Sequence, residues 1–138
     1  QKNEIYAVLS DFPGSSGYRW ALYLALNAET GIKFHVITRT GDWAYETREW
    51  PGPASKLAVT FTKIGRMLPD WDPSFLEYYL SSIPLTIPEV DHAREPSFTC
   101  RVWFKEAVRT LNRAQMFVKC PDVDTLEADL LYKADAAR

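Results

Sequence analysis

Apolar and polar residues alternate with a period of two in three runs, residues 19–27, 32–40 and 57–66, a pattern that predicts β-strands. Two further strands are predicted, one from the short apolar run 4–10 and one over residues 43–48. In the run 19–27, Trp20, Leu22 and Leu24 share one face and Arg19 and Tyr23 the other. Its Ala and Leu content also leaves a helix open there. Turn residues separate the first four predicted strands, so we expect an antiparallel meander followed by one further strand.

In the second half the apolar spacing changes to three and four, which is typical of amphipathic helices. The clearest helix is predicted over residues 97–113, with Ser97 as its N-cap. A shorter helix is expected to open at Asp72-Pro73 and to run to about residue 82, and a last one to cover about 123–136. The segment between the helix that opens at Asp72-Pro73 and the helix over 97–113 is predicted to be extended or looped, because it contains Pro84, Pro88 and Pro96.

This order of elements predicts an α+β fold, an antiparallel sheet with helices packed on one face. The 138 residues suffice for one core, so residues 1–138 are expected to form a single domain. A net charge of −2 argues against a strongly electrostatic nucleic-acid binder, and we expect no nucleic-acid partner. Because no apolar run approaches about 20 residues, we expect no membrane span. Cytoplasmic localisation is the corresponding expectation.

The chain has two cysteines, Cys100 and Cys120, and therefore at most one intramolecular disulfide. Their spacing does not match a zinc site, and the short run Gly14-Ser-Ser-Gly17 lacks the lysine of a phosphate-binding loop. We therefore expect reduced thiols, no metal and no cofactor. Two acidic runs, 70–72 and 122–124, fit turns and helix caps better than metal ligands.

Cys100 is predicted to lie in the first turn of the main helix, directly before Arg101. Both the helix N-terminus and an adjacent cation lower the pKa of a thiol, and a thiolate is the form that acts as a nucleophile. The alternative is a structural cysteine, since Cys100 also heads the apolar stripe of that helix and free cysteines are often buried.

The chain has only two histidines, His35 and His92. His35 lies in the third predicted strand on its more polar face, where it is either a catalytic base or a hydrogen-bonded structural residue. His92 lies in a predicted loop, and an exposed, ordinary role is expected for it.

Three runs resemble circularly permuted papain-like domains of the lecithin–retinol acyltransferase type, including small fungal relatives. The runs are Tyr18-Arg19-Trp20-Ala21-Leu22-Tyr23-Leu24, Phe34-His35-Val36-Ile37 and residues 98–108, which begin Phe98-Thr99-Cys100-Arg101-Val102-Trp103. The resemblance covers about residues 4–115. It implies a permuted papain-like sheet and a cysteine nucleophile at a helix start, with Cys100 in that position.

Two departures from the family pattern bear on activity. The family's histidine falls on Arg19, and the asparagine before its cysteine falls on Thr99. A guanidinium has no acceptor and stays protonated, so Arg19 is no general base, although it suits a bidentate contact with a carboxylate. The resemblance places His35 at the position of the polar partner, from which it is the candidate substitute base if its ring reaches Cys100.

The resemblance thus implies a thiol-dependent hydrolase or acyltransferase acting on an acyl or amide carbonyl of a small molecule or peptide. Its catalytic residues would be Cys100 and His35. The substrate would be bound by Arg19, Trp20, Tyr23 and Trp103.

Two alternatives to thiol catalysis stay open. One is a catalytically lapsed domain that binds a ligand or protein, which is suggested by Arg19 at the position of the family's base. The other is a biosynthetic cyclase or isomerase with an aromatic-walled cleft, motivated by many tryptophans and tyrosines. Aromatic side chains also fill ordinary cores, which is the simpler explanation for each of them. The pattern does not predict an oligomeric state.

Overall fold

A computed structural model describes residues 3–11, 18–27, 29–51, 58–67, 72–113 and 122–137. The strands are β1 (Glu4–Asp11), β2 (Tyr18–Ala25), β3 (Gly31–Arg39), β4 (Asp42–Trp50) and β5 (Ala58–Arg66). The α-helices are α1 (Ser74–Ser81), α2 (Cys100–Arg113) and α3 (Val123–Ala137). A 3₁₀ turn, Glu89–Asp91, lies in the proline-containing segment between α1 and α2. The predicted α+β fold is therefore confirmed.

The five strands form one antiparallel sheet in the order β4-β3-β2-β1-β5. Strands β1 to β4 make the predicted meander, and β5 adds to the free side of β1. The β3–β4 turn has two residues, Thr40 and Gly41, at φ +48° and +88°. Positive φ at both central positions is the type I′ geometry that suits the twist of a tight hairpin. The run 19–27, for which a helix was left open, forms strand β2.

Helix α2 begins at Cys100, three residues later than predicted. The prediction of Ser97 as N-cap was wrong, because Thr99 takes that position. Its carbonyl accepts the Trp103 N–H at 3.0 Å, and its hydroxyl lies 3.4 Å from the Val102 nitrogen. The predicted extents of α1 and α3 agree with the structure to within two residues.

All three helices pack on one face of the sheet. The core between them contains Trp20, Leu22 and Leu24 of β2 and Phe34 of β3, together with the apolar stripe of α2. Trp20 lies 5.3 Å from Phe104, measured between ring centroids. Helix α3 is tied to β2 by a hydrogen bond of 2.6 Å that the Tyr18 hydroxyl donates to Asp135.

The opposite face of the sheet, called here the distal face, has its own smaller cluster of buried and half-buried side chains. Its members are Tyr6, Val8, Tyr23, Ala25, Trp50 and Phe61. Because side chains alternate along a strand, the same face carries Arg19 of β2, Lys33 and His35 of β3, and Arg48 of β4.

Strands β2 and β3 separate at one end of the sheet. Their register runs from Ala25↔Gly31 to Leu22↔Phe34 and ends there, whereas β1 pairs with β2 as far as Tyr18. Helix α2 starts beside this part of β2, which brings its first residue next to strand backbone.

Candidate functional site

Cys100 is the first residue of α2 and is half-buried against the main core. Its sulfur lies 3.9 Å from the carbonyl oxygen of Tyr18, to which the thiol donates a weak hydrogen bond. The N–H of Trp20, two residues along β2, also acts on the sulfur. The first turn of α2 therefore meets β2 where that strand has separated from β3.

Burial raises the pKa of the Cys100 thiol. The backbone N–H groups of Trp20, Arg101 and Cys100 and the positive charge of Arg19 act in the opposite direction, but they do not outweigh desolvation. The expected lowering of this pKa is thus wrong. The Arg101 side chain does not lower the pKa of the thiol as predicted, because its guanidinium is bound to Glu95, at 2.7 Å, and to Glu127.

The structure does not join either histidine to the thiol by a hydrogen bond. The His35 Nε2–H donates to Glu46 on the neighbouring strand at 2.8 Å, and His92 donates from its Nε2 to the carbonyl of Ile87 at 3.0 Å. Burial, and secondarily the charge of Lys33, lower the pKa of His35 despite the bond to Glu46. His35 is therefore a neutral, hydrogen-bonded imidazole near pH 7, as its structural alternative predicted.

Arg19 lies on the distal face with an exposed side chain. Its positive charge acts on two groups, the thiol of Cys100 and the ammonium of Lys33, and lowers the pKa of each. Of the predicted site residues, Arg19 and Cys100 are thus brought within electrostatic range of each other. The position that the family resemblance gives to a base holds a permanent cation.

The aromatic residues predicted to bind substrate are packed into the protein. Trp20 and Trp103 belong to the main core, and Tyr23 belongs to the distal cluster. Trp103 is fully buried, and its indole N–H has no hydrogen-bond partner among the described residues. All three rings are buried and contribute to packing. Trp71, also among the candidate aromatics, and Cys120 lie outside the described residues.

Three cations lie on the distal face: Arg19 on β2, Lys33 on β3 and Arg48 on β4. Arg19 is four residues along β2 from Tyr23, the register partner of Lys33 on that strand. Lys33 and Arg48 are register partners in adjacent strands. Burial lowers the pKa of Lys33, and the like charges of Arg48 and Arg19 lower it further. The charge of Glu46 acts in the opposite direction but does not outweigh these causes, and a bound anion would add to its effect.

Two carboxylates on this side of the sheet are already engaged. Glu46 accepts the hydrogen bond of His35 and lies 3.9 Å from Arg48. Glu4, near β5, is paired with Lys63 at 2.9 Å and with Arg66 at 3.4 Å. Their side chains are only 17% and 11% exposed, whereas Arg48, Lys63 and Arg66 are each more than half exposed. The solvent-facing charge of this part of the sheet is therefore positive.

Apolar rings lie next to the cations. Trp50 stacks on Phe61 with ring centroids 5.7 Å apart, and Tyr23 packs edge-on against both. The Lys33 ammonium lies 4.6 Å from the centroid of the Trp50 ring, a cation–π contact. Half-buried rings beside these cations suit a ligand with an anionic group and an apolar body.

A second polar cluster lies between α2, α3 and the loop before α2. Lys105 is 1% exposed and lies 3.1 Å from Asp124, 3.4 Å from both Glu95 and Glu127, and 3.7 Å from Asp91. Burial lowers its pKa, but the carboxylates, with the Asp124 hydrogen bond first, outweigh that effect and leave it raised.

The arginines complete the pairing in this cluster. Arg109 binds Asp91 through both terminal nitrogens at 2.7 and 2.8 Å, and this hydrogen bonding holds the pKa of Asp91 below its usual value. Arg101 does the same for Glu95. A cavity of about 270 Å³ is lined by Arg94, Glu95, Arg101, Lys105, Asp124 and Glu127. Among the described residues, the cations and carboxylates of this cluster pair with one another, and the ion pairs connect α2, α3 and the loop before α2.

Sequence reasoning missed both polar arrangements. Lys105 looks like a solvated helix residue until α3 and the loop pack over it. Among the described residues, no group of three or more His, Cys, Asp or Glu side chains is placed to hold a metal ion. No described helix is long and apolar enough to cross a membrane.

Residues 5–118 match a family model described as a family of unknown function, DUF6540, and the chain belongs to that family. No curated protein and no solved structure matches the chain.

Proposed function

We propose that this protein is a ligand-binding domain that has no thiol catalysis, and that it holds a small carboxylate or other anion on the distal face. The three cations of the distal face, Arg19, Lys33 and Arg48, carry the proposal. Two of these cations lie in register on adjacent strands, and the third acts electrostatically on the same ammonium. An anion bound near Lys33 would offset the like-charge repulsion, and a guanidinium group suits a bidentate contact with a carboxylate.

The state of Cys100 supports the absence of thiol catalysis. A cysteine nucleophile needs a lowered pKa or a neighbouring base. Burial raises the pKa of this thiol, and the hydrogen bonds of both histidines go to other partners. Arg19, whose charge acts on the thiol, accepts no proton.

Binding is tested by isothermal titration calorimetry with three probes: benzoate, octanoate and inorganic phosphate. We expect the carboxylates with an apolar body to bind more tightly than phosphate. Arg19→Gln and Arg48→Gln should each weaken binding by about ten-fold or more, the usual loss for a charged hydrogen-bonding partner. Arg113→Gln, an equally exposed arginine at the end of α2, is the matched control and should bind as the wild type does. Absence of binding by all three probes would contradict the proposal.

A thiol-dependent hydrolase or acyltransferase is the second candidate. It is favoured by the position of Cys100 at the first residue of α2 and by the charge of Arg19 on its thiol. The two candidates differ in the reactivity of Cys100 near pH 7, measured by iodoacetamide labelling with mass spectrometry of the Cys100 peptide. Binding without catalysis predicts slow labelling of the folded protein and unchanged ligand affinity in Cys100→Ala. Hydrolysis of a model thioester that Cys100→Ser abolishes would instead establish the thiol enzyme.

A further inference from the structure

Strand β4 is an edge of the sheet, and the hydrogen-bonding groups on its outer side are free among the described residues. The two-residue turn makes Arg39 and Asp42 a hydrogen-bonded pair, since the turn bond closes between them. In an antiparallel ladder such pairs alternate with non-bonded ones. The backbone groups of Trp43, Tyr45, Thr47 and Glu49 therefore point away from β3, and they make no other backbone hydrogen bond within the described chain.

The two edges of the sheet are protected to different degrees. Strand β5 contains two register irregularities opposite β1 and is contacted by α3. Strand β4 pairs with β3 without interruption over nine residues. Bulges, covering helices and charged side chains are the usual means of blocking edge pairing, and of these β4 shows only the charged side chains in the described part of the chain. Of the described strands, β4 is thus the edge that is competent to accept another strand.

The charges of β4 indicate which strand it would accept. Glu46 and Arg48 lie two residues apart on the distal face, and Thr47 lies between them with its backbone groups pointing outward. If a second β4 pairs antiparallel with Thr47 opposite Thr47, Glu46 of each copy lies opposite Arg48 of the other. Directly opposite side chains approach to about 4.5–5.5 Å between Cβ atoms. A shift that places Glu46 opposite Glu46 puts like charges together instead.

We propose that two copies of this chain associate through their β4 strands around a two-fold axis at Thr47, forming one continuous ten-stranded sheet. The interface is self-complementary, as a two-fold contact requires. Helix α1, whose Glu77 acts electrostatically on Tyr45 of β4, also exposes apolar side chains, Phe75 at 46% and Tyr78 at 73%. The two distal faces then lie on the same side of the joined sheet.

The dimer is tested by light scattering coupled to size-exclusion chromatography over a concentration series. The wild type should move from 15.8 kDa towards twice that mass as its concentration rises. Thr47→Pro removes an outward N–H without touching the β3 ladder and should leave a monomer. Thr47→Ala keeps the N–H and should dimerise as the wild type does.

Charge variants test the register. Arg48→Glu should raise the dissociation constant about ten-fold or more, because Glu46 then faces a carboxylate. Lys133→Glu on α3 is the control and should have no effect on the dissociation constant. Circular dichroism establishes that each variant is folded. A folded wild type that stays at 15.8 kDa at every concentration, or a dimer insensitive to Thr47→Pro, would overturn the proposal.

Discussion

The two faces of the sheet are built from the same strands but carry different kinds of side chain. The helix-covered face holds the large apolar residues of β2 and β3 and almost the whole stripe of α2. The distal face holds a small aromatic cluster and the three cations. Because successive side chains of a strand alternate between faces, one run such as Tyr18-Arg19-Trp20 supplies both a core ring and an exposed charge.

The comparison also shows how a net charge can conceal its distribution. The chain carries 16 basic and 18 acidic residues, which on average implies no affinity for anions. The helix layer nevertheless pairs its charges internally around Lys105, while the distal face directs arginines and lysines to solvent. Averaged charge argues against an extended polyanion as partner and says little about a small anion.

Two tryptophans provide the strongest contrast between the faces. Trp103→Ala should lower the free energy of unfolding by about 3–5 kcal/mol, because it empties a fully enclosed site in the main core. Trp50→Ala should cost less, about 1–2 kcal/mol, since Trp50 is only half-buried in the distal cluster. Urea denaturation followed by circular dichroism measures both. Equal losses would contradict the proposed difference in packing between the faces.

The next effect is a pH dependence that originates on the distal face. The pKa of His35 is lower in the folded protein than its ordinary value of about 6.5, so the unfolded chain takes up this proton first as the pH falls. The contribution of His35 to stability is therefore full above that pH and decreases below it, by at most about 1.4 kcal/mol per pH unit. His35→Gln should show a shallower loss of stability between pH 7 and pH 5 in urea titrations. Parallel curves for the two proteins would contradict this assignment.

The smallest expected effect is a change in the pKa of Lys33 on the distal face. Arg48→Gln removes one like charge from the register partner of Lys33, so the pKa of Lys33 should rise towards its ordinary value. The rise should be incomplete, because burial is the larger cause of the lowering and remains. NMR titration of the lysine side chains measures it, with Arg113→Gln as control. An unchanged Lys33 pKa would show that Arg48 does not contribute to its lowering.

Much of the architecture is predictable because it follows from local periodicity. Alternation places the β-strands, and the three-four spacing places α2, since burial of one face selects those periods. Helix ends are less well predicted. Both Ser97 and Thr99 are suitable caps by residue type, and the choice depends on where the preceding chain meets β2 and β4, for example through the 5.6 Å contact of Phe98 with Trp43.

The candidate site required the tertiary structure at each step. A helix start and an adjacent arginine predict a lowered pKa for Cys100, yet burial against β2 reverses the direction and Arg101 is bound by two carboxylates from other elements. His35 is recognisable as a candidate in the sequence, but its partner Glu46 becomes known only from the β3–β4 register.

By itself, the sequence determined the class of fold, the strand and helix periods, the faces of each strand and the cation at position 19. Those properties depend on neighbours within a few residues along the chain. Desolvation, ion pairing and the open edge of β4 depend on residues brought together from distant positions. The tertiary structure alone therefore decided that the thiol is held protonated, that Lys105 is enclosed by carboxylates, and that three cations from three strands share one surface.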